Sequence, residues 1–135
     1  MPNKPSVADY MATDLHTLSP ELDIRSAVDF LLEKRISGAP VIDSAGKLVG
    51  VISEKDCLRL LAAGHDHERA SGSVGDFMTR EPATVPSTMD VYFAAGVFLT
   101  RPYRRFPVVD EGVLVGQISR RDILKAVQAL MPREP

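Results

Sequence analysis

Cysteine is all but missing from this sequence. Cys57 is the only one among 135 residues, so an internal disulfide and a cysteine-cluster zinc site are both excluded. It falls in the first turn of an expected helix, on the apolar side, and reads as a small buried hydrophobe. No apolar run approaches the roughly 20 residues that cross a bilayer. Met1–Pro5 has no apolar core behind its lysine, so no secretory signal is expected and the cytoplasm is the expected compartment. Charge of one sign is also scarce: the net value of −2 gives no general attraction to nucleic acid or to an anionic membrane. The three histidines, His16, His65 and His67, lack triad or metal spacing, and no nucleophile–base pair is evident, so an enzyme is not expected. His65-Asp66-His67-Glu68 offers two imidazoles and carboxylates, but a spacing of two has no helical support, and a solvated loop is the better reading.

The sequence does contain a motif, twice. Gly50-Val51-Ile52-Ser53-Glu54-Lys55-Asp56 returns as Gly116-Gln117-Ile118-Ser119-Arg120-Arg121-Asp122. Each copy follows an apolar run and precedes an amphipathic one, which places the serine where a strand hands over to a helix. Free N–H groups and the dipole at such a point suit a phosphate, and a neighbouring aspartate can accept hydrogen bonds from a sugar diol. The same pattern is also a capping box, Ser bonding a first-turn N–H and the acid bonding back. The rest of the chain repeats as well. Met11 and Met78 lie 67 residues apart, and the same offset pairs Val7 with Val74, Asp9 with Asp76, Thr17 with Thr84, Asp23 with Asp90 and Pro40-Val41 with Pro107-Val108. One residue drops from the turn after Asp110, so the motif copies align at 66. The chain is a tandem duplication.

Each repeat, roughly 60 residues long, is marginal as a lone core, and the two should bury faces against each other. The order read from the sequence is strand, helix, strand, strand, helix. The first strand is Leu15–Leu18, closed by Ser19-Pro20. Asp23 opens a helix whose stripe Ile24, Ala27, Val28, Leu31, Leu32 is repeated as Val91, Ala94, Ala95, Phe98, Leu99 behind Asp90. Strands 39–42 and 106–109 follow, then short turns that make the last two strands antiparallel, while the crossover helix makes the first two parallel. The final helices are Glu54–Ala63, stopped at Gly64, and Asp122–Leu130. Repeat bounds of 7–63 and 74–130 with a linker at 64–73 result. Charge is uneven: residues 1–67 carry 7 basic and 10 acidic side chains, net −3, and residues 68–135 carry 9 and 8, net +1.

With these features the chain resembles a Bateman module, a tandem pair of cystathionine-β-synthase (CBS) domains. The resemblance covers Val7 to about Leu130 and rests on Val-x-Asp-x-Met, the Pro-Val-hydrophobic-Asp strand and the Gly-hydrophobic-x-Ser-x-x-Asp motif, each present twice in the same order. It implies an α+β fold of two βαββα repeats about a pseudo-two-fold axis, with an adenosyl ligand in the cleft between them. AMP, ADP, ATP and S-adenosylmethionine are all admitted, as regulatory ligands rather than catalytic cofactors. By position, the first ligand set is Thr17, Gly38, Ala39, Pro40, Ser53 and Asp56. The second is Thr84, Arg104, Arg105, Phe106, Pro107, Ser119, Arg121 and Asp122. Gln117 departs from the usual hydrophobe after the motif glycine. Phe106, where the first repeat has Ala39, either stacks on adenine or fills its pocket. Arg104 and Arg105 replace Ser37 and Gly38, offering guanidinium forks to phosphate on the second side only.

The leading expectation is therefore a sensor that binds an adenosyl ligand and signals to an unidentified protein partner. A structural or interaction module with empty clefts is the alternative. Nucleic acid is disfavoured, because only Tyr103 and Phe106 interleave with the arginines. A homodimer is expected, since helix faces such as Leu58/Leu61 and Ile123/Val127 exceed what one internal interface covers, and paired CBS modules commonly associate as flat discs.

Overall fold

The computed structural model describes residues 4–62 and 71–133. The His65–Glu68 loop, the Gly64 cap and most of the expected linker lie outside the described residues. In chain order the elements are α1 (Val7–Tyr10), α2 (Ile24–Lys34), β1 (Gly38–Ile42), β2 (Leu48–Ser53), α3 (Glu54–Cys57), α4 (Arg59–Ala62), α5 (Val74–Phe77), β3 (Thr79–Arg80), α6 (Val91–Thr100), β4 (Arg105–Asp110), β5 (Val113–Ser119) and α7 (Arg120–Leu130). They form two compact units, His16–Pro82 and Met1–Leu15 with Ala83–Pro135. Each unit thus takes its body from one repeat and a short opening segment from the other.

In the unit His16–Pro82, β1 and β2 pair antiparallel across the Asp43–Lys47 turn, and β3 adds antiparallel to β2. Asp43 accepts from the Ala45 and Lys47 amides at 2.9 Å each, and Gly46 takes the positive φ of 83° that closes the turn. The first strand expected at 15–18 shrinks to a parallel bridge, Leu18 with Val41. Pro20 explains the brevity, because it has no N–H to extend a ladder. Asp23 caps α2 by accepting from the Ser26 amide at 3.2 Å. The expected helix stripe is narrower than the pattern implied: Ile24, Ala27 and Leu31 are buried, whereas Leu32 is 72% exposed. The core joins these to Val41, Ile52, Val74 and Met78, the last two supplied by the opening segment of the other repeat. Each fully buried aliphatic side chain contributes about 1.5–3 kcal/mol. The expected 54–63 helix is interrupted at Leu58, which keeps right-handed dihedrals, so the chain direction is unchanged.

In the other unit β4 and β5 form the antiparallel pair, and the two-residue turn Glu111-Gly112 has φ of 50° and 82°, the hairpin geometry that matches strand twist. Its short parallel contact is the bridge Val85 with Val108. The core holds Val91, Ala94, Phe98, Phe106, Val108, Ile118, Ile123 and Ala126, completed by Val7. Leu99, like Leu32, points outward at 87% exposure. Helix α7 begins at Arg120, two residues before the expected Asp122, because Ser119 takes the N-cap and Asp122 the third helical position.

The opening segments explain the motif glycines. An added Cβ on Gly116 would lie 2.5 Å from Met11 Sδ and 2.9 Å from the Ala12 carbonyl oxygen, and one on Gly50 would lie 2.7 Å from Met78 Sδ and 2.8 Å from the Thr79 carbonyl oxygen. Each Val-x-Asp-x-Met segment therefore lies across the motif glycine of the other repeat, and only a residue without a side chain allows that approach.

Asp110 fastens the turn before α6 to the end of β4. The Ser87 hydroxyl and then its amide donate to the Asp110 carboxylate, which holds this acid below the usual carboxylate range. A depressed native pKa stabilises above the unfolded value near 4 and is lost as pH falls through the native one. Asp110→Ala is expected to lower the urea midpoint, by less at pH 3 than at pH 7. An identical gap at both pH values would contradict this.

Candidate functional site

The strand pairings bring most of the expected ligand residues together within each unit. In the first set Gly38 is in register with Ser53, the Glu54 amide donates to the Ser37 carbonyl at 2.9 Å, and Leu18, next to Thr17, donates to the Pro40 carbonyl at 3.0 Å. In the second set Arg105 is in register with Ser119, the Arg120 amide donates to the Arg104 carbonyl at 3.0 Å, and Val85, next to Thr84, donates to the Pro107 carbonyl at 3.1 Å. The Thr, the Pro strand and the Ser-x-x-Asp corner are thus neighbours in both. Ala39, Pro40, Phe106 and Pro107 are buried, so their side chains support the site from beneath. Phe106 packs at 5.0 Å from the Phe98 ring and 5.4 Å from Tyr103, inside the core of its unit.

Both motif corners are complete capping boxes. Ser53 and Asp56 exchange bonds, the Ser53 amide and hydroxyl donating to Asp56 Oδ2 at 2.9 and 3.0 Å while the Asp56 amide donates to Ser53 Oγ at 3.2 Å. Ser119 and Asp122 repeat this at 2.9, 2.9 and 3.1 Å. The two acids then differ. Asp56 is the one buried charged residue in the described chain, 4% exposed, and its Oδ1 accepts from Arg59 Nη2 at 3.2 Å and Thr79 Oγ1 at 3.3 Å. Asp122 is half-buried, and its Oδ1 has no hydrogen-bond partner among the described residues.

Arg104, Arg105, Arg120 and Arg121 are all exposed, and none forms an ion pair among the described residues, where the only two pairs are Lys4–Asp90 and Arg59–Asp56. Strand alternation turns Arg105 outward and Phe106 inward. The second corner therefore presents free guanidinium groups beside an acid with an open oxygen. Sequence reasoning missed Arg59 and Thr79. The signal was present in the offsets, since Thr79 is matched by Ala12 and Arg59 by Lys125.

A separate groove of about 870 Å³ runs between α2 and α3–α4, lined by Val28, Leu31, Leu32, Leu58, Leu60 and Leu61, with Arg25, Arg35 and Glu54 also on its walls. It contains none of the expected ligand residues, and its apolar walls suit a hydrophobic partner better than a nucleotide. Cys57 lies on it half-buried, its thiol pushed up by burial and by Asp56, which keeps it protonated. No metal-ligating cluster occurs among the described residues, and no described helix is long and apolar enough to cross a membrane.

The CBS domain family model matches residues 7–63 and 74–129, nearly the whole chain. The chain belongs to the CBS domain family. It is a tandem CBS pair with the α+β fold of that family. The pair is similar to the CBS domain-containing protein CBSX1, chloroplastic, of Arabidopsis thaliana, with 34% identity over 90% of this chain and 63% of the relative. The chain therefore spans less than two thirds of the length of that relative. CBSX2 of the same plant, solved in complex with AMP, superposes with a TM-score of 0.80 at 34% identity, covering 94% of this chain and 98% of that one. The CBS pair of protein MJ0100, solved with 5′-methylthioadenosine and S-adenosyl-L-methionine, gives 0.73 at 25% identity over 93% and 98%. A match to inosine-5′-monophosphate dehydrogenase of Aquifex aeolicus, 33% identical over 81% of this chain, reaches only 22% of that enzyme's length.

Proposed function

We propose that this CBS pair is a cytoplasmic ligand-sensing module that binds an adenosyl nucleotide at a Ser-x-x-Asp corner and passes occupancy to a protein partner. The observation that carries the reading is Asp122: it keeps a carboxylate oxygen open toward a diol, beside unpaired guanidinium groups that suit phosphates. Ligands of the two solved relatives, AMP and S-adenosyl-L-methionine, support the chemical class. No catalytic role is proposed, since likeness to about a fifth of a dehydrogenase carries none of its chemistry. The repeats are assigned as 7–63 and 74–130, with Thr17, Gly38 to Pro40, Ser53 and Asp56 on one side and Thr84, Arg104 to Pro107, Ser119, Arg121 and Asp122 on the other.

The second reading is a structural module with empty clefts, favoured by the complete capping boxes, which satisfy both motifs without a ligand. Thermal shift against adenosine, AMP, ATP, S-adenosylmethionine and single-stranded RNA separates the two. A ligand at 100 times its dissociation constant stabilises by about 2.7 kcal/mol. Adenosyl compounds are expected to raise the melting temperature, ATP losing most of its advantage over AMP at high salt because guanidinium–phosphate attraction is screened. A flat response to every compound would leave the structural module.

The homodimer expected from the sequence belongs to the same proposal. Leu32, Leu58 and Leu61 are 66–72% exposed around the groove, and their repeat equivalents Leu99, Leu124 and Val127 are 47–87% exposed. Ile123, expected on this face, is buried at 8% and belongs to the core. Each unit thus carries exposed apolar positions of its own that suit association with a second copy. Sedimentation at micromolar concentration is expected to give a dimer, and a lone 14.7 kDa species would contradict it.

A further inference from the structure

We propose that Thr79 and Arg59 form a lock on Asp56, so that of the two motif acids only Asp122 can receive a ribose diol and the chain binds one nucleotide rather than two. The inference rests on the adenosyl-binding reading above and adds which corner is used. A carboxylate has about four acceptor positions. Asp56 has all four engaged, by the Ser53 amide, the Ser53 hydroxyl, Arg59 Nη2 and Thr79 Oγ1, within 2.9–3.3 Å, and its side chain is 6% exposed. Asp122 has two engaged, both on Oδ2 and both by Ser119 at 2.9 Å.

The asymmetry is written in two residues. Strand β3 pairs Thr79 with Val51, and the equivalent bridge in the other unit pairs Ala12 with Gln117, so Thr79 and Ala12 occupy the same place beside their acids. A methyl group has no proton to give. Arg59 is three residues past Asp56, and Lys125 is three past Asp122, yet Lys125 makes no ion pair with it within 4.0 Å. The Arg59 side chain is 60% exposed, so its ion pair alone is weak. The lock acts through occupancy and burial together: a ribose reaching Asp56 must first remove two donors, one of them charged, and then desolvate the corner again.

Equilibrium dialysis of the full chain with radiolabelled AMP tests this. The wild type is expected to bind one equivalent, lost in Asp122→Ala. Thr79→Val/Arg59→Met is expected to bind two equivalents, the added one disappearing again when Asp56→Asn is combined with it. Grafting the lock onto the other corner with Ala12→Thr/Lys125→Arg is expected to weaken the wild-type site on the order of tenfold, the size of one hydrogen bond to a charged group. Two equivalents in the wild type, or one that Asp56→Asn abolishes, would overturn the lock while leaving adenosyl binding intact. An unlocked variant that folds and still binds one equivalent would also overturn it. A wild type that binds no AMP, S-adenosylmethionine or ATP would instead remove the adenosyl reading itself, and the lock with it.

Discussion

Asp122→Ala is expected to weaken AMP binding by about ten- to a hundredfold, since a hydrogen bond to a charged group contributes about 1.5–3 kcal/mol and each 1.4 kcal/mol is about tenfold. The same substitution removes the acid half of the α7 capping box, where the Ser119 amide and hydroxyl both bond to Oδ2. Loss of an acid from the first helical turn costs about 0.3–1 kcal/mol of folding free energy, so a slightly lower melting temperature accompanies the binding loss. The matching variant Asp56→Ala separates the two effects. It should cost more stability, because it leaves Thr79 and Arg59 without their acceptor as well as breaking a cap, while leaving AMP affinity unchanged. Calorimetric titration beside thermal melts reads both. Unchanged affinity in Asp122→Ala together with a lowered melting temperature would reduce Asp122 to a cap and leave the second corner without its sugar contact.

Gly116→Ala is expected to destabilise the protein by about 1–3 kcal/mol, the usual cost of forcing extra atoms into a packed site. The new methyl group would stand 2.5 Å from Met11 Sδ, which can swing aside, and 2.9 Å from the Ala12 carbonyl, which cannot without moving the backbone bridge to Gln117. A glycine-to-alanine change also removes freedom from the unfolded chain, a gain of about 0.4–1 kcal/mol, so the steric cost prevails but is partly offset. Gly96 supplies the opposite case. It lies inside α6 with nothing within 4 Å of an added Cβ, and Gly96→Ala is expected to raise stability by about 0.5–1 kcal/mol. Denaturant midpoints of the two variants should therefore move in opposite directions. Equal small shifts would mean that the Met11 segment does not press on β5 as the geometry shows.

Much of this was legible in the residues. The duplication, the antiparallel strand pairs and the Ser-x-x-Asp corners each leave a local pattern: a fixed offset, an apolar run broken by a turn, a serine three residues before an acid. What was not legible lies in the tertiary pairing. The offset equates Met11 with Met78 and Gly50 with Gly116, but it does not say which methionine covers which glycine, and the crossing of the opening segments is a choice between two arrangements with the same pattern. Leu32 and Leu99 fit an apolar stripe by spacing and yet point outward, because periodicity marks a helix face without fixing how wide a strip the core covers. The first strands shortened to single bridges because the next rung has no donor: Pro20 lacks an N–H, and the Ser87 amide donates to the Asp110 carboxylate instead. Phe106 itself is buried, its ring against Phe98 in the core and against the exposed Tyr103 on the other side. The unequal state of Asp56 and Asp122 depends on Thr79, 23 residues from the acid it binds, a contact no local motif contains.

The claim that this CBS pair senses adenosyl ligands through its second corner is tested most directly by amide chemical shifts of the isotope-labelled protein titrated with AMP. The largest, saturable changes are expected at Ser119, Arg120, Arg121 and Asp122, with smaller ones at Thr84 and Arg105. A titration that moves only Ser53 to Asp56, or none of these amides at millimolar AMP, would contradict the account.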